Sequence, residues 1–530
     1  MAALGLQARN YTWIGGTEGA WNVADNWVAD DDSSVHAVPS SYQDKATLSC
    51  ADGDIVIHCS GWLEPNITFA TNVTFYVAEN KEAIIKGSLT GVGDISKSGP
   101  GKVTLNVGGA ERIGWVYVNE GTLAFSAERA LGKSGGCVVG DGVHDAVLEA
   151  NRDGQWGGRF FGPPNTDGLG DLIIKNKGVL VYDKSNNWKT CAQLSNLTIE
   201  PGGRAQMGCH GFYGGLQASA GRFDVAGDMT FLDATSAALN GTFALMSTEL
   251  RILGERTETF QMPVGLLLRR DWGSQGAAYA KLNAVGGNGL AVDLHVYGEV
   301  VSQYGPRDGL DIIGNGTVKL SGSSTYGGKT NGSSGEEGRT RVQSGRLLVD
   351  NTTGSGTGYS AVEVSAGATL GGIGIIGGLT EGKTYGNNER SASPADPCVV
   401  VNGAADNPGV LAPGSYEDTT NARIYGTLTV GSDEQASSVT MNANTKLAFE
   451  AGKGGATGLK VYGPLTLGKN VTLDVNVAAN AKSGDYVLVS ATEGINGNYT
   501  LTGNVNPKQV VQIGNEIILH VRNGLTLIVR

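Results

Sequence analysis

The stretch from Gly314 to Gly378 constrains the fold more than any other part of this chain. Three short runs in it alternate apolar and polar residues, and clusters of Gly, Ser, Asn and Thr separate the runs. Because successive side chains of a strand point to opposite faces, a period of two predicts half-buried strands. The predicted inward residues include Val318, Leu320, Val342, Leu347, Val349 and Leu370. Strands and glycine corners that recur at nearly even spacing predict a coil stacked on copies of itself.

Four elements of this stretch follow one another in a recognisable order: Gly314–Gly322 (GNGTVKLSG), Ser324–Thr330 (STYGGKT), Val342–Val349 (VQSGRLLV) and Gly367–Gly372 (GATLGG). In this order they resemble the autotransporter-associated β-strand repeat of large secreted bacterial surface proteins. The later Leu411–Ser415 (LAPGS) is similar to the segment that often follows that repeat.

The resemblance implies an all-β, elongated right-handed parallel β-helix, or β-solenoid, at the cell surface or outside the cell. It implies that Tyr326 packs over a corner, and that Gly371 and Gly372 close the repeat. The resemblance gives no information about an activity. Met1–Leu4 is too short for a signal peptide, so the location is expected from the resemblance and not from a leader.

Composition agrees with a solenoid. The chain has 530 residues, with 83 Gly, 14 Pro and 17% charged residues, which argues against collagen and against disorder. Glycine suits the corners of a coil, and each coil buries its face only against its neighbours. A net charge of -12 argues against nucleic acid as a partner, because phosphate binding needs clustered Lys and Arg. The sequence contains no run of about eighteen apolar residues, so no membrane-spanning helix is predicted.

The pattern predicts four parts: a tryptophan-rich N-terminal cap (1–86), a solenoid (87–378), an exposed loop that returns to the stack (379–425) and a C-terminal β-strand region (426–530). Copies of the repeat lie near 87–125 and 314–378. The C-terminal strands fit either a sandwich-like end or closing coils. Met262–Arg270 (MPVGLLLRR) is the best candidate for a helix or an inserted arm.

Tryptophans near the N-terminus offer two interpretations. Trp13, Trp21 and Trp27 fall within fifteen residues. They can seal the exposed end of the solenoid, or they can form a surface on which a sugar stacks. In the second case Trp21, Trp27 and Trp62 are the candidate contacts with a glycan or another partner.

Six cysteines are present, and two pairs have separations that suit adjacent strands or coils. Cys50 with Cys59, and Cys191 with Cys209, are therefore disulfide candidates. The alternative is that these residues are buried free thiols.

Two short motifs raise an enzymatic alternative. The segments Asn165–Asp167 and Gly208–Gly211 resemble the N-T-D and G-H-G elements of β-helical polysaccharide hydrolases. Asp167 and His210 are the catalytic candidates of this enzymatic alternative. The paired Asp residues that acid and base catalysis needs are missing, which argues against it.

Other motifs also lack the context that their chemistry requires. The segment Gly377–Thr384 has the spacing of a phosphate-binding loop, but no helix is predicted after it. The six histidines form no ligand pattern, so no metal or cofactor is expected.

The sequence therefore predicts a secreted or cell-surface β-solenoid with a structural or adhesive role and no enzyme activity. Its partner is expected to be another copy, in a fibre or layer, or a glycan or protein of a host or the environment. A β-helical hydrolase or lyase that acts on extracellular glycans is the alternative.

Overall fold

The computed structural model describes residues 9–522, with gaps at 42, 52, 107–110, 112–113, 126–129, 133–134, 151–170, 183–191, 194–195, 208–210, 214–221, 226–227, 232–241, 247–248, 255, 264, 270–277, 303–306, 331–337, 380–383, 386–389 and 394–397. The chain forms two compact units, Met1–Leu239 and Asn240–Arg530. Nearly all regular structure in the described residues is strand, with short 3-10 turns at Ala24–Asn26 and Pro507–Gln509. No helix among these residues has the length and apolar character to cross a membrane.

The N-terminal unit contains β1 (Asn10–Trp13), β2 (Glu18–Ala20), β3 (Trp27–Ala29), β4 (Lys45–Leu48), β5 (Ile55–His58), β6 (Gly61–Leu63), β7 (Asn66–Phe69), β8 (Val73–Tyr76), β9 (Glu82–Ile85), β10 (Leu89–Gly91), β11 (Ile95–Ser98), β12 (Lys102–Leu105), β13 (Val116–Val118), β14 (Gly121–Phe125), β15 (Gly136–Val139), β16 (Ala146–Ala150), β17 (Asp171–Ile174), β18 (Gly178–Tyr182), β19 (Ala192–Gln193), β20 (Asn196–Ile199), β21 (Arg204–Met207), β22 (Gly211–Tyr213), β23 (Arg222–Val225) and β24 (Asp228–Phe231).

The C-terminal unit contains β25 (Thr242–Met246), β26 (Glu249–Ile252), β27 (Phe260–Met262), β28 (Gly265–Arg269), β29 (Ala278–Ala284), β30 (Leu294–Val296), β31 (Val300–Ser302), β32 (Asp308–Gly314), β33 (Thr317–Leu320), β34 (Lys329–Thr330), β35 (Thr340–Val342), β36 (Arg346–Val349), β37 (Val362–Val364), β38 (Thr369–Gly372), β39 (Ile375–Ile376), β40 (Thr384–Tyr385), β41 (Arg390–Ser393), β42 (Val399–Val401), β43 (Val410–Pro413), β44 (Ser415–Tyr416), β45 (Arg423–Ile424), β46 (Thr427–Val430), β47 (Val439–Met441), β48 (Lys446–Gly452), β49 (Gly455–Ala456), β50 (Gly458–Val461), β51 (Leu465–Leu467), β52 (Val471–Val477), β53 (Gly484–Ala491), β54 (Ile495–Asn496), β55 (Tyr499–Gly503), β56 (Val510–Ile513) and β57 (Glu516–Val521).

Apart from β3, each described strand of the N-terminal unit pairs in parallel with the strand that occupies the same place in a neighbouring coil. One sheet stacks β5, β8, β11, β13, β15, β17, β20 and β23. A second sheet stacks β6, β9, β12, β14, β16, β18, β21 and β24. A third stacks β1, β4, β7 and β10. The unit is therefore a parallel β-solenoid, and in the first of these sheets Ile95, Val116 and Cys137 face one another in successive coils.

The C-terminal unit repeats this arrangement. One sheet stacks β26, β29, β32, β35, β37, β42, β47, β51 and β54. The sheet that we call the covered sheet stacks β27, β30, β33, β36, β38, β43, β48, β52 and β55. A third stacks β39, β46, β50 and β53. The parallel β-solenoid predicted from the repeat is confirmed.

The predicted scaffold residues lie in the interior of the C-terminal unit. Val318, Leu347 and Leu370 are aligned across β33, β36 and β38. The exposed fraction is 1% or less for Val318, Leu320, Tyr326, Val342, Leu347, Val349 and Leu370. Burial of an aliphatic side chain of this kind contributes about 1.5–3 kcal/mol. The Tyr326 hydroxyl lies 2.6 Å from Thr340 Oγ1, and burial raises the pKa of Tyr326 to about 12.

Both units have antiparallel strands near a chain end. In the N-terminal unit β3 pairs antiparallel with β1. In the C-terminal unit β57 pairs antiparallel with β53 and β56. Antiparallel strands depart from the coil direction and cover a sheet edge, which is the expected role of a capping region.

The helix or arm predicted at Met262–Arg270 is wrong, because the structure has the strands β27 and β28 there. Leu266 pairs with Val300 of the next coil, and both are fully buried. A Cβ at Gly265 would lie 2.1 Å from the backbone carbonyl oxygen of Glu299, so the backbones of the two coils are in contact there. Pairing with the neighbouring coil decides the structure, and local helix propensity does not.

Candidate functional site

The three N-terminal tryptophans pack against one another. The Trp13 and Trp27 rings are edge-on with centroids 5.1 Å apart, and the Trp21 and Trp27 centroids are 4.7 Å apart. Trp27 Nε1 donates a hydrogen bond of 2.9 Å to the Trp21 carbonyl. Trp27 has no exposed surface and Trp21 is 5% exposed. In this conformation neither the Trp21 ring nor the Trp27 ring has a face that is open to a ligand.

Trp62 is placed differently, because 65% of it is exposed. It lies on β6, which pairs with β9 and forms one edge of its sheet. Lys86 Nζ lies 3.1 Å from the ring centroid, and Glu64 Oε1 is 3.8 Å from the same ammonium. The ammonium covers one face of the ring, and the exposure of the residue leaves the other face to solvent. Trp62 is thus an exposed aromatic platform with a cation and a carboxylate beside it.

Two of the four predicted disulfide residues can be located. Cys50 and Cys59 are free thiols in the structure, not a pair. Cys59 is 8% exposed, and burial raises the pKa of its thiol to about 12. Cys191 and Cys209 lie outside the described residues.

The different environments of these two thiols predict selective alkylation. In the native protein at pH 8 we expect iodoacetamide to modify Cys50 at least about tenfold faster than Cys59, because the thiolate is the reactive species. Peptide mass mapping after timed quenching measures both rates. As a control, both thiols should react at similar rates when the chain is unfolded in denaturant. Protection of both residues until a reductant is added would instead show that they form a disulfide.

The enzymatic candidates Asp167 and His210 also lie outside the described residues. Within the part of the chain that the structure describes, no three His, Cys, Asp or Glu side chains come together in a way that could hold a metal ion.

A group of polar side chains that the sequence did not reveal lies on the outer face of the covered sheet. His295 on β30 and Lys319 on β33 are direct neighbours across the parallel pairing. The hairpin formed by β44 and β45, residues 415–424, lies over them. His295 is 4% exposed and Lys319 is 6% exposed, although both point away from the solenoid core.

Asp418, at the tip of this hairpin, joins the group together. One of its oxygens, Oδ2, is 2.5 Å from His295 Nδ1 and accepts a hydrogen bond of 2.9 Å from the Tyr297 hydroxyl. The other, Oδ1, is 3.3 Å from Lys319 Nζ. The second nitrogen of the imidazole, His295 Nε2, lies 2.6 Å from Ser321 Oγ.

The remaining contacts fix Lys319 and the hairpin. Lys319 Nζ donates to the Tyr416 carbonyl at 2.8 Å and lies 3.4 Å from Asp350 Oδ2. The Ser415 hydroxyl donates to the same Asp350 oxygen. Two carboxylates thus lie beside one ammonium and one imidazole, and all four side chains are less than one-tenth exposed.

Burial and neighbouring groups have opposite effects on the pKa of His295, and also on the pKa of Asp418. Burial lowers the pKa of His295, and the hydrogen bond to Asp418 opposes that effect. For Asp418 burial acts to raise the pKa, but hydrogen bonds from His295 and Tyr297 and the charge of Lys319 hold it below its usual value. Near neutral pH the arrangement is a neutral imidazole beside an ionised carboxylate.

The sequence predicts no role for His295, because the six histidines form no ligand pattern. Its partner Asp418 is 123 residues away along the chain, so no local motif joins the two. The available signal was a pair of polar residues, His295 on β30 and Ser321 directly after β33, two strands that pair side by side.

Comparison with known proteins gives little further information. No family model and no curated protein matches the chain. Among solved structures, the chain is similar to the crystal structure of the Haemophilus influenzae Hap adhesin, with 11% sequence identity and a TM-score of 0.19. The match covers 92% of this chain and 65% of the adhesin chain.

Proposed function

We propose that this chain works at or outside the bacterial cell surface as a structural or adhesive β-solenoid, and that no catalytic step is part of that role. The sequence repeat supports the location. The stacked coils supply a scaffold from which loops and strand edges can present binding residues. The observation that carries the proposal is the exposed ring of Trp62 on the edge strand β6.

The environment of Trp62 suits a carbohydrate. An open aromatic face packs against the apolar face of a pyranose, and the neighbouring Lys86 and Glu64 can exchange hydrogen bonds with its hydroxyl groups. We therefore propose a neutral or acidic glycan as the partner of this platform.

Replacement of Trp62 tests the proposal. On a glycan array followed by calorimetry with the best hit, we expect Trp62→Ala to weaken binding at least about tenfold, which corresponds to about 1.4 kcal/mol. Trp62→Phe should retain part of the affinity because it keeps an aromatic face. Val143→Ala is the matched control, because Val143 has the same 65% exposure but no aromatic ring.

Other outcomes identify the alternatives. A wild-type protein that binds no glycan, or a Trp62→Ala variant that binds like the wild type, contradicts the carbohydrate proposal. Light scattering that rises with concentration, and that Trp62→Ala abolishes, assigns the platform to self-association through the β6 edge. Release of reducing sugar from pectin-like polysaccharides would support the hydrolase alternative.

A further inference from the structure

We propose that Ser321, His295 and Asp418 form a nucleophilic triad able to cleave a small carboxylic ester, an activity separate from the binding role proposed above. The geometry is that of a nucleophile, a base and an orienting carboxylate. Ser321 Oγ is 2.6 Å from His295 Nε2, and His295 Nδ1 is 2.5 Å from Asp418 Oδ2. The first separation is within the reach required for proton transfer from the serine to the imidazole, and the second contact orients the imidazole. The same roles occur on unrelated folds, so they are recognised by geometry.

The protonation states follow from the partners. An ionised carboxylate accepts hydrogen bonds and cannot donate them, so the Asp418 contact requires a proton on His295 Nδ1. A neutral imidazole then has its lone pair on Nε2, and the Ser321 hydroxyl must donate to it. This is the tautomer in which the imidazole can remove the serine proton.

The surrounding groups hold the imidazole and favour its protonation during a reaction. The Tyr297 ring stacks on His295 with centroids 3.7 Å apart, and the Tyr297 hydroxyl donates to Asp418. Near the imidazole the carboxylates of Asp418 and Asp350 outnumber the single ammonium of Lys319. This local negative excess stabilises an imidazolium as it forms.

A small substrate can reach the serine from the side of Tyr297. Ser321 is half-buried, Ser323 is exposed and Tyr297 is 41% exposed. Within the described residues, the N–H group of Gly322, the residue that follows Ser321, engages in no hydrogen bond. The N–H of the residue after a nucleophilic serine is a recurrent donor to the oxyanion of the tetrahedral intermediate.

The reaction balances without any added cofactor. Ser321 Oγ attacks the carbonyl carbon of the ester while His295 Nε2 takes the hydroxyl proton. The bond from that carbon to the alkoxy oxygen then breaks, and the alcohol leaves with the proton from the imidazolium. A water molecule, deprotonated by the same nitrogen, attacks the acyl-serine, releases the carboxylic acid and restores the serine.

Covalent labelling tests the triad. We expect a fluorophosphonate probe to modify the native chain at Ser321, with loss of fluoride, and we expect the chain to hydrolyse p-nitrophenyl acetate. Asp418→Asn keeps the shape of the side chain but loses the carboxylate, so both rates should fall at least about 100-fold. Ser321→Ala should lose the adduct and the hydrolysis completely. Ser323→Ala is the matched control and should react like the wild type.

The readouts separate catalysis from a structural role. Circular dichroism and the midpoint of urea unfolding show whether each variant keeps its fold, so a rate lost with an unchanged fold assigns the effect to the reaction. The rate of adduct formation should also fall as His295 becomes protonated at low pH. An intact wild-type chain that forms no adduct, or one that is labelled equally after Asp418→Asn, overturns the proposal.

Discussion

Gly372→Ala is expected to destabilise the C-terminal unit by about 4 kcal/mol or more, a loss among the largest that single substitutions cause. Gly372 has φ +117, which an L-residue rarely adopts, and a Cβ there would lie 2.0 Å from the Val349 carbonyl oxygen of the previous coil. The backbone cannot yield without breaking the pairing of β36 with β38. Urea unfolding followed by far-UV circular dichroism measures the change.

A second glycine isolates the contribution of the contact between coils. Gly287 has a similar φ of +112, but a Cβ at that position meets no atom within 4 Å. Gly287→Ala should therefore cost only the backbone strain, about 1–3 kcal/mol. If the two variants unfold at the same urea concentration, then the close approach of the coils at Gly372 does not contribute to stability.

Lys97→Met is expected to destabilise the N-terminal unit by about 3 kcal/mol, because it leaves buried carbonyl groups without donors. Lys97 lies on the inward face of β11 and is 1% exposed. Its ammonium donates to the carbonyls of Ser98 at 2.9 Å, Gly99 at 2.6 Å and Glu120 at 2.9 Å. Methionine matches the length of the side chain but offers no hydrogen-bond donor.

The same lysine predicts a pH dependence with a definite sign. Burial lowers the pKa of Lys97 from 10.5 to about 8. Between these values the unfolded chain binds a proton that the folded chain has released, so the stability of the wild type rises with pH. The gap in unfolding free energy between the wild type and Lys97→Met should widen from pH 8 to pH 10. Other alkaline titrations cancel in that difference, and a gap that stays constant or narrows contradicts the assigned pKa.

Much of the scaffold could be predicted from the sequence, because the solenoid repeats one local rule. Alternation at period two identifies the inward residues Val318, Leu347 and Leu370, and all three are fully buried. The rule fails where contact with the next coil overrides local preference, as in β28. It also fails at Lys97, where a charged residue takes an inward position because three backbone carbonyls surround its ammonium.

The candidate sites were less predictable than the scaffold. Trp62 could be proposed as a partner contact from its residue type, but its edge strand and its contact with Lys86 depend on the stacking of coils. The group around His295 could not be predicted, because Asp418 reaches it from a hairpin that begins after the repeat ends. The position of that hairpin depends on long-range contacts such as the hydrogen bond from Lys319 to the Tyr416 carbonyl.

Oxidative cross-linking of neighbouring coils tests the stacked register most directly. Thr472 on β52 and Thr500 on β55 face each other across parallel strands, whereas Thr502 is two residues out of register with Thr472. Directly opposed cysteines lie within the Cα separation that a disulfide requires. We predict that the variant with Thr472→Cys and Thr500→Cys forms a disulfide under mild oxidation, identified by peptide mass mapping, and that the variant with Thr472→Cys and Thr502→Cys does not. No cross-link in the first variant, or equal cross-linking in both, would contradict the parallel, in-register solenoid.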